Sequence, residues 1–173
     1  MHNQLNYTMD VHEKLQKINT MIFDVDGVFT DGSLLVTEQG ELLRIMDAKD
    51  GYAVKRAVQN GFRIVIITGG DSEGVKIRFQ KLGVFDVFLK ISDKLKKYNE
   101  FISENRILPE SVLYMGDDIL DIELMQNVFL PACPKDACHE ALEIAEFISD
   151  SPGGKGCVRE IIEKVLSSQN KWH

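Results

Sequence analysis

The sequence is short of cysteine, of positive charge and of long apolar runs, and each shortage removes a class of protein. Its three cysteines, Cys133, Cys138 and Cys157, are odd in number and fit no zinc-ligand spacing. They read as reduced packing thiols of a cytoplasmic protein rather than a disulfide framework. Lys and Arg total 20 against 27 Asp and Glu, a formal net charge of −7. That balance argues against general nucleic-acid binding and against attraction to anionic membranes, and it obliges any anionic ligand to be met by local cations. No apolar run is long enough to span a bilayer, and the segment Met1 to Lys17 is polar with no signal-peptide core. His2, His12, His139 and His173 are scattered, none beside an obvious nucleophile. Repeats and low-complexity segments are also missing, so residues 1–173 read as one globular domain whose termini fray.

Alternating apolar and helical patterns are what the chain does have. Residues 9–18 carry a short helical pattern, and the apolar run from Ile18 to Phe23 reads as a buried strand. Residues 33–46 read as a β-hairpin turning at Gly40, with arms too apolar to stand alone in water. Helix and strand then alternate. Helices are expected over 50–60, 72–82, 94–105, 119–126, 135–145 and 158–166, and strands over 62–67, 84–89, 111–115, 128–131 and 147–148. Such spacing predicts an α/β fold, a Rossmann-like parallel sheet flanked by helices on both faces. No insertion is large enough to be a lid domain.

In an open α/β sheet the ligand sits beyond the carboxyl ends of the strands. Those ends carry Asp24 and Asp26, then Thr68, then Lys94, then Asp117 with Asp118. Taken singly, each has a bland explanation as a cap or turn residue. Their order at successive strand ends is much harder to explain that way. The set fits phosphoryl transfer through an aspartyl-phosphate. Asp24 would attack phosphorus, and Asp26 would protonate the leaving alkoxide and later accept a proton from water. Thr68 and Lys94 would hold the phosphoryl oxygens. Mg²⁺ on Asp24, Asp117 and the backbone carbonyl of Asp26 would offset the repulsion between nucleophile and phosphate. An EF-hand fails on register, because Val28 falls at a ligand position.

With Asp24-x-Asp26-Gly27, Thr68-Gly69, Lys94 and Gly116-Asp117-Asp118, the chain resembles the haloacid dehalogenase superfamily. The resemblance implies a metal site of Asp24, Asp26 and Asp117, with Asp118 and Asp121 behind it. Further matches at Asp24 to Gly32, Asp50-Gly51-Tyr52, Asp93-Lys94-Leu95, Gly116 to Asp121 and Gly153 to Glu160 resemble the 3-deoxy-D-manno-octulosonate (KDO) 8-phosphate phosphatases. That family is capless and homotetrameric. It implies a phosphosugar substrate met by Asp26, Asp47, Ala48, Lys49, Asp50, Gly51, Lys55, Thr68, Gly69, Arg78 and Lys94. It also implies that the 33–46 hairpin builds the tetramer and that the 151–173 tail closes a neighbour's site. Three departures fall where substrate is read. Gly70 stands where the octulosonate enzymes usually carry arginine, Ala53 replaces a glycine, and Leu89-Lys90 replaces Gln-Gly. A nine-carbon ulosonate 9-phosphate is therefore the alternative substrate. A receiver-like phosphoacceptor module and a catalytically weak assembly subunit are the alternatives of another class.

Overall fold

The computed structural model describes residues 9–172; His2 and His173 lie outside them. Six strands form one parallel sheet: β1 (Thr20–Phe23), β4 (Arg63–Ile67), β5 (Asp86–Phe88), β6 (Val112–Met115), β7 (Leu130–Cys133) and β8 (Phe147–Ile148). Their order is β5-β4-β1-β6-β7-β8, every neighbouring pair parallel. The chain thus starts at the centre, builds outward to one edge, then returns to the other side of β1. A reversal of this kind opens a crevice at the strand tips, and here it lies at the end of β1.

Helices cover both faces, so the strands are apolar without alternation. Met21, Phe23, Ile64, Ile66, Leu113 and Met115 point into one core. It is shared with α1 (Val11–Lys17), α2 (Ala48–Gln59), α3 (Glu73–Lys81) and α7 (Cys157–Ser168). Ile22, Val65, Ile67, Val112 and Tyr114 point the other way, onto α4 (Lys94–Glu104), α5 (Ile122–Met125) and α6 (His139–Ile144). No helix among the described residues is long and apolar enough to cross a membrane.

The remaining strands, β2 (Leu35–Val36) and β3 (Leu42–Leu43), form the antiparallel hairpin. Leu35 and Val36 are more than half exposed, and Ile45 just beyond is 85 % exposed.

Three of the differences from the sequence expectation bear on the site. The strand expected over 128–131 is Leu130–Cys133, because Pro131 does not end it: its carbonyl accepts from the Glu146 N–H at 3.0 Å. The helix expected over 119–126 is a 3₁₀ turn, Ile119–Asp121, followed by the single turn of α5. Asp118 and Asp121 cap one another there, and Asp121 is drawn inward. The helix expected over 135–145 keeps only His139–Ile144, since the Cys138 N–H is spent on the Asp117 carbonyl at 2.8 Å.

Candidate active site

The register of β1 sets the site. Phe23 pairs with Ile66 on one side and Met115 on the other, and the Asp24 N–H continues the ladder to the Met115 carbonyl at 3.1 Å. The first residue beyond β1 therefore lies beside the first residues beyond β6, which are Gly116, Asp117 and Asp118. On the other flank Thr68 follows β4 directly, its N–H bonded to the Phe88 carbonyl at 3.1 Å.

These tips line a cavity of about 310 Å³ with Asp24, Asp26, Thr68, Lys94, Asp117, Asp118 and Asp121, with glycines and Leu120 between them. Lys94, the first residue of α4, is 5 % exposed. Its ammonium sits 3.1 Å from Asp24 Oδ2 and 2.5 Å from Asp121 Oδ1. The Tyr114 hydroxyl donates to the same Asp121 oxygen at 2.5 Å. Asp121 Oδ2 accepts from the N–H groups of Asp117 at 2.9 Å and Asp118 at 3.1 Å. Asp121 is thereby saturated, and it holds the Asp117 loop in place.

Asp24, Asp117 and Asp121 each offer an oxygen within 4.8 Å of the others. Asp24 Oδ1 and Asp117 Oδ1 are buried with no hydrogen-bond partner. Burying unpaired carboxylate oxygens is expensive unless a cation is shared between them. Burial pushes Asp24 up to about 6, against the pull of Lys94. Burial, then the charges of Asp121 and Asp24, pushes Asp117 up to about 8. Burial also works against the Lys94 ammonium, but the two aspartates outweigh it and hold its pKa above the usual lysine value. Two orphaned oxygens in a concave, oxygen-lined cluster fit a hard divalent cation such as Mg²⁺.

The Asp26 carboxylate is not in that cluster. It faces the hairpin, where it accepts from Arg44 Nε at 2.6 Å and Nη2 at 2.9 Å. Gly27, at φ +89°, leaves space that the Asp117 carboxylate fills, and a Cβ there would overlap it. Gly153 and Gly154 lie directly against the backbone of Gly27 and Thr30, with the Gly154 N–H bonded to the Val28 carbonyl at 2.9 Å. This loop is packed support for the turn after β1.

The positions that the resemblance gives to substrate are only partly gathered there. Among them, Asp26, Thr68, Gly69 and Lys94 line the cavity, whereas Asp47, Ala48, Lys49, Asp50, Gly51, Lys55 and Arg78 do not. Asp47 caps α2 by accepting from the Lys49 N–H at 2.6 Å. Asp50 is fully buried, and its Oδ1 accepts from the Arg159 N–H at 2.7 Å, tying α2 to α7. Ala48, Lys49 and Lys55 are exposed. The Arg78 guanidinium lies against Gly51, and with Arg44 it lines a separate cavity of about 420 Å³.

Two participants were not picked out from sequence. Tyr114 reads as a core aromatic inside a buried strand, and nothing local reveals that Asp121 folds back to its hydroxyl. Arg44 left a trace, as the one cation in the apolar arm Glu41 to Met46.

Residues 71–161 match the family described as haloacid dehalogenase-like hydrolase. The chain is 33 % identical over 162 residues to the 3-deoxy-D-manno-octulosonate 8-phosphate phosphatase of Escherichia coli K12, covering 94 % of this chain and 86 % of that protein. Among solved structures, the Yersinia pestis 3-deoxy-D-manno-octulosonate 8-phosphate phosphatase superposes with a TM-score of 0.91 at 34 % identity, over 94 % of this chain and 88 % of that one. The Moraxella catarrhalis enzyme of the same name, solved with magnesium, phosphate and KDO, gives a TM-score of 0.90 at 27 % identity, over 93 % and 92 % of the two chains.

Proposed function

We propose the following activity for this chain, which belongs to the haloacid dehalogenase-like hydrolases: hydrolysis of 3-deoxy-D-manno-octulosonate 8-phosphate to KDO and phosphate through an aspartyl-phosphate on Asp24. The observation that carries the proposal is the convergence of Asp24, Lys94, Asp117 and Asp121 in one cavity, two of the carboxylates with buried unpartnered oxygens. The similarity to octulosonate 8-phosphate phosphatases over nearly the whole chain supports the substrate.

Asp24 attacks phosphorus in line, and Lys94 keeps the nucleophile oriented at 3.1 Å while balancing charge on the phosphoryl oxygens. Thr68, 3 % exposed at the tip of β4, offers its hydroxyl to those oxygens. Asp26 gives a proton to the leaving oxygen as its bond to phosphorus breaks, then takes one from the water that attacks the aspartyl-phosphate. Asp24, Asp117 and the Asp26 carbonyl would hold Mg²⁺, with Asp121 bracing the Asp117 loop. When bound, the ion supplies positive charge to the transferring phosphoryl group. Of the positions that the resemblance gives to substrate outside the cavity, the cations Lys49, Lys55 and Arg78 read the sugar acid, whereas Asp47 caps α2 and Asp50 is tied to α7. A site this open excludes water poorly by itself, and the exposed hairpin suits contact with neighbouring subunits. The assembly we infer is a homotetramer in the cytoplasm.

Turnover of KDO 8-phosphate and of a nine-carbon 2-keto-3-deoxynononate 9-phosphate, measured as kcat/KM with and without chelator, tests this reading. The expected result is Mg²⁺-dependent hydrolysis favouring the eight-carbon ester. Asp24→Asn should lose about 10⁴-fold or more in kcat. A preference for the nine-carbon ester would overturn the substrate, and normal turnover by Asp24→Asn would overturn the chemistry.

A further inference from the structure

Arg44 belongs to the least covered element of the molecule, yet its side chain is only 6 % exposed. Its neighbours Leu43 and Ile45 are 47 % and 85 % exposed. The guanidinium reaches back from β3 over the carboxyl ends of β1 and β4. Nε and Nη2 each take one oxygen of Asp26, at 2.6 and 2.9 Å, and Nη1 donates to the Leu42 carbonyl at 2.9 Å. This fork-to-fork geometry fixes the plane of a carboxylate as well as its position, which a lysine ammonium cannot do. A carboxylate has about four lone-pair sites and the fork occupies two. Asp26 remains 32 % exposed at the cavity, so the other sites stay open to a substrate oxygen or a water.

Gly70 belongs to the same arrangement. A Cβ on Gly70 would stand 3.0 Å from Arg44 Nη2, 3.2 Å from Asp26 Oδ2 and 3.5 Å from Thr68 Oγ1. The space that a side chain after Thr68-Gly69 would enter is filled by the hairpin's guanidinium.

We propose that Arg44 is a positioning residue, which turns the Asp26 carboxylate toward the leaving oxygen and so links the seating of the 33–46 hairpin to proton delivery. The proposal rests on Asp26 being the proton donor of the preceding section. The alternative role, a direct cation for the substrate's own carboxylate, is disfavoured because the Nε–Nη2 fork that would grip a carboxylate is already taken by Asp26, leaving one N–H on each of Nη1 and Nη2. Asp26 enters this step protonated on an oxygen position that the fork leaves free; its proton moves to the ester oxygen as the P–O bond to that oxygen breaks, and the carboxylate that remains is paired with Arg44.

Leaving-group dependence separates these roles. An alkoxide needs a proton to depart, whereas a nitrophenolate does not, and kcat/KM reports only the steps up to transfer onto Asp24. Three esters are compared with Mg²⁺ present: KDO 8-phosphate, glycerol phosphate as a plain alkyl ester, and p-nitrophenyl phosphate. For Arg44→Ala, kcat/KM on both alkyl esters should fall relative to the aryl ester by about 10- to 100-fold, a part of the roughly 10²- to 10⁴-fold that general acid catalysis supplies. Arg44→Lys should recover only part of that ratio. Gly70→Ala, which crowds the guanidinium without removing it, should reproduce the selective loss in a protein whose assembly state by light scattering is unchanged. Equal losses on all three esters would make Arg44 merely structural. A loss confined to KDO 8-phosphate would make it a substrate contact, and either result overturns the proposal. Asp26→Asn is the internal reference. If it is selective and Arg44→Ala is not, only the role of Arg44 fails; if Asp26→Asn shows no selectivity, the reading of Asp26 falls first.

Discussion

Asp24 and Asp117 can share a cation only if the turn between their strands leaves room, and at Gly27 it does. Any Cβ there would overlap the Asp117 carboxylate, and φ +89° is a conformation that L side chains rarely adopt. Gly27→Ala should therefore displace Asp117. Magnesium affinity by titration calorimetry should weaken about 10- to 100-fold, the usual consequence of disturbing what orients a metal ligand. Affinity equal to the unsubstituted protein would show that Asp117 is not held by this contact. The glycine itself was legible in sequence as part of Asp24-x-Asp26-Gly27, because turn chemistry and metal chemistry call for the same residues. Its contact with Asp117 was not, since the two lie 90 positions apart in the chain.

At the level of elements, Asp50 on α2 and Arg159 in the first turn of α7 show where sequence and structure part. The motif Asp50-Gly51-Tyr52 assigns Asp50 to substrate through resemblance, but its carboxylate is buried and accepts from the backbone at the start of α7. Asp50→Ala leaves that N–H without its acceptor. It should lower unfolding free energy by about 1–3 kcal/mol in urea titration, with KM essentially retained. Unchanged stability with a raised KM would return Asp50 to the substrate. The strand and helix order was readable throughout, because apolar runs covered on both faces and Gly or Asp stops carry that information locally. Three boundaries were not. Pro131 reads as a terminator, yet the strand continues through it to Cys133. In 119–126 the Asp121 side chain turns back to the Asp117 and Asp118 N–H groups, and in 135–138 the Lys135 and Cys138 N–H groups bond to the Ser151 and Asp117 carbonyls instead of joining a helix. Asp24, Thr68, Lys94 and Asp117 were legible as a group because strand tips in a parallel sheet must converge, whereas Asp121 came only from the resemblance. The Arg44–Asp26 pair was not, since no local pattern fixes where a hairpin folds back.

For the whole molecule, the acidic cluster makes stability and cation binding depend on pH together. Asp24 and Asp50 rise to about 6 and Asp117 to about 8, from an ordinary value of 3.8. A carboxyl harder to ionise in the folded state stabilises the fold below the unfolded value, and that contribution is lost as pH rises through the folded value. The cation-free protein should therefore lose stability between about pH 4 and 8. Magnesium binds the ionised carboxylates, so the rise in Tm it gives should be larger at pH 8 than at pH 5.5. A magnesium shift that is equal at the two values, or larger at the lower, would place the cation elsewhere.

The central claim is that a phosphoryl group passes through Asp24 on its way to water, and chemical trapping reaches it most directly. Protein mixed with KDO 8-phosphate and Mg²⁺, quenched within a turnover and reduced with borohydride, should yield homoserine at position 24, as an acyl-phosphate there requires, and Asp24→Asn should yield none. Turnover with no reducible acyl-phosphate, or with the modification on another side chain, would contradict the account.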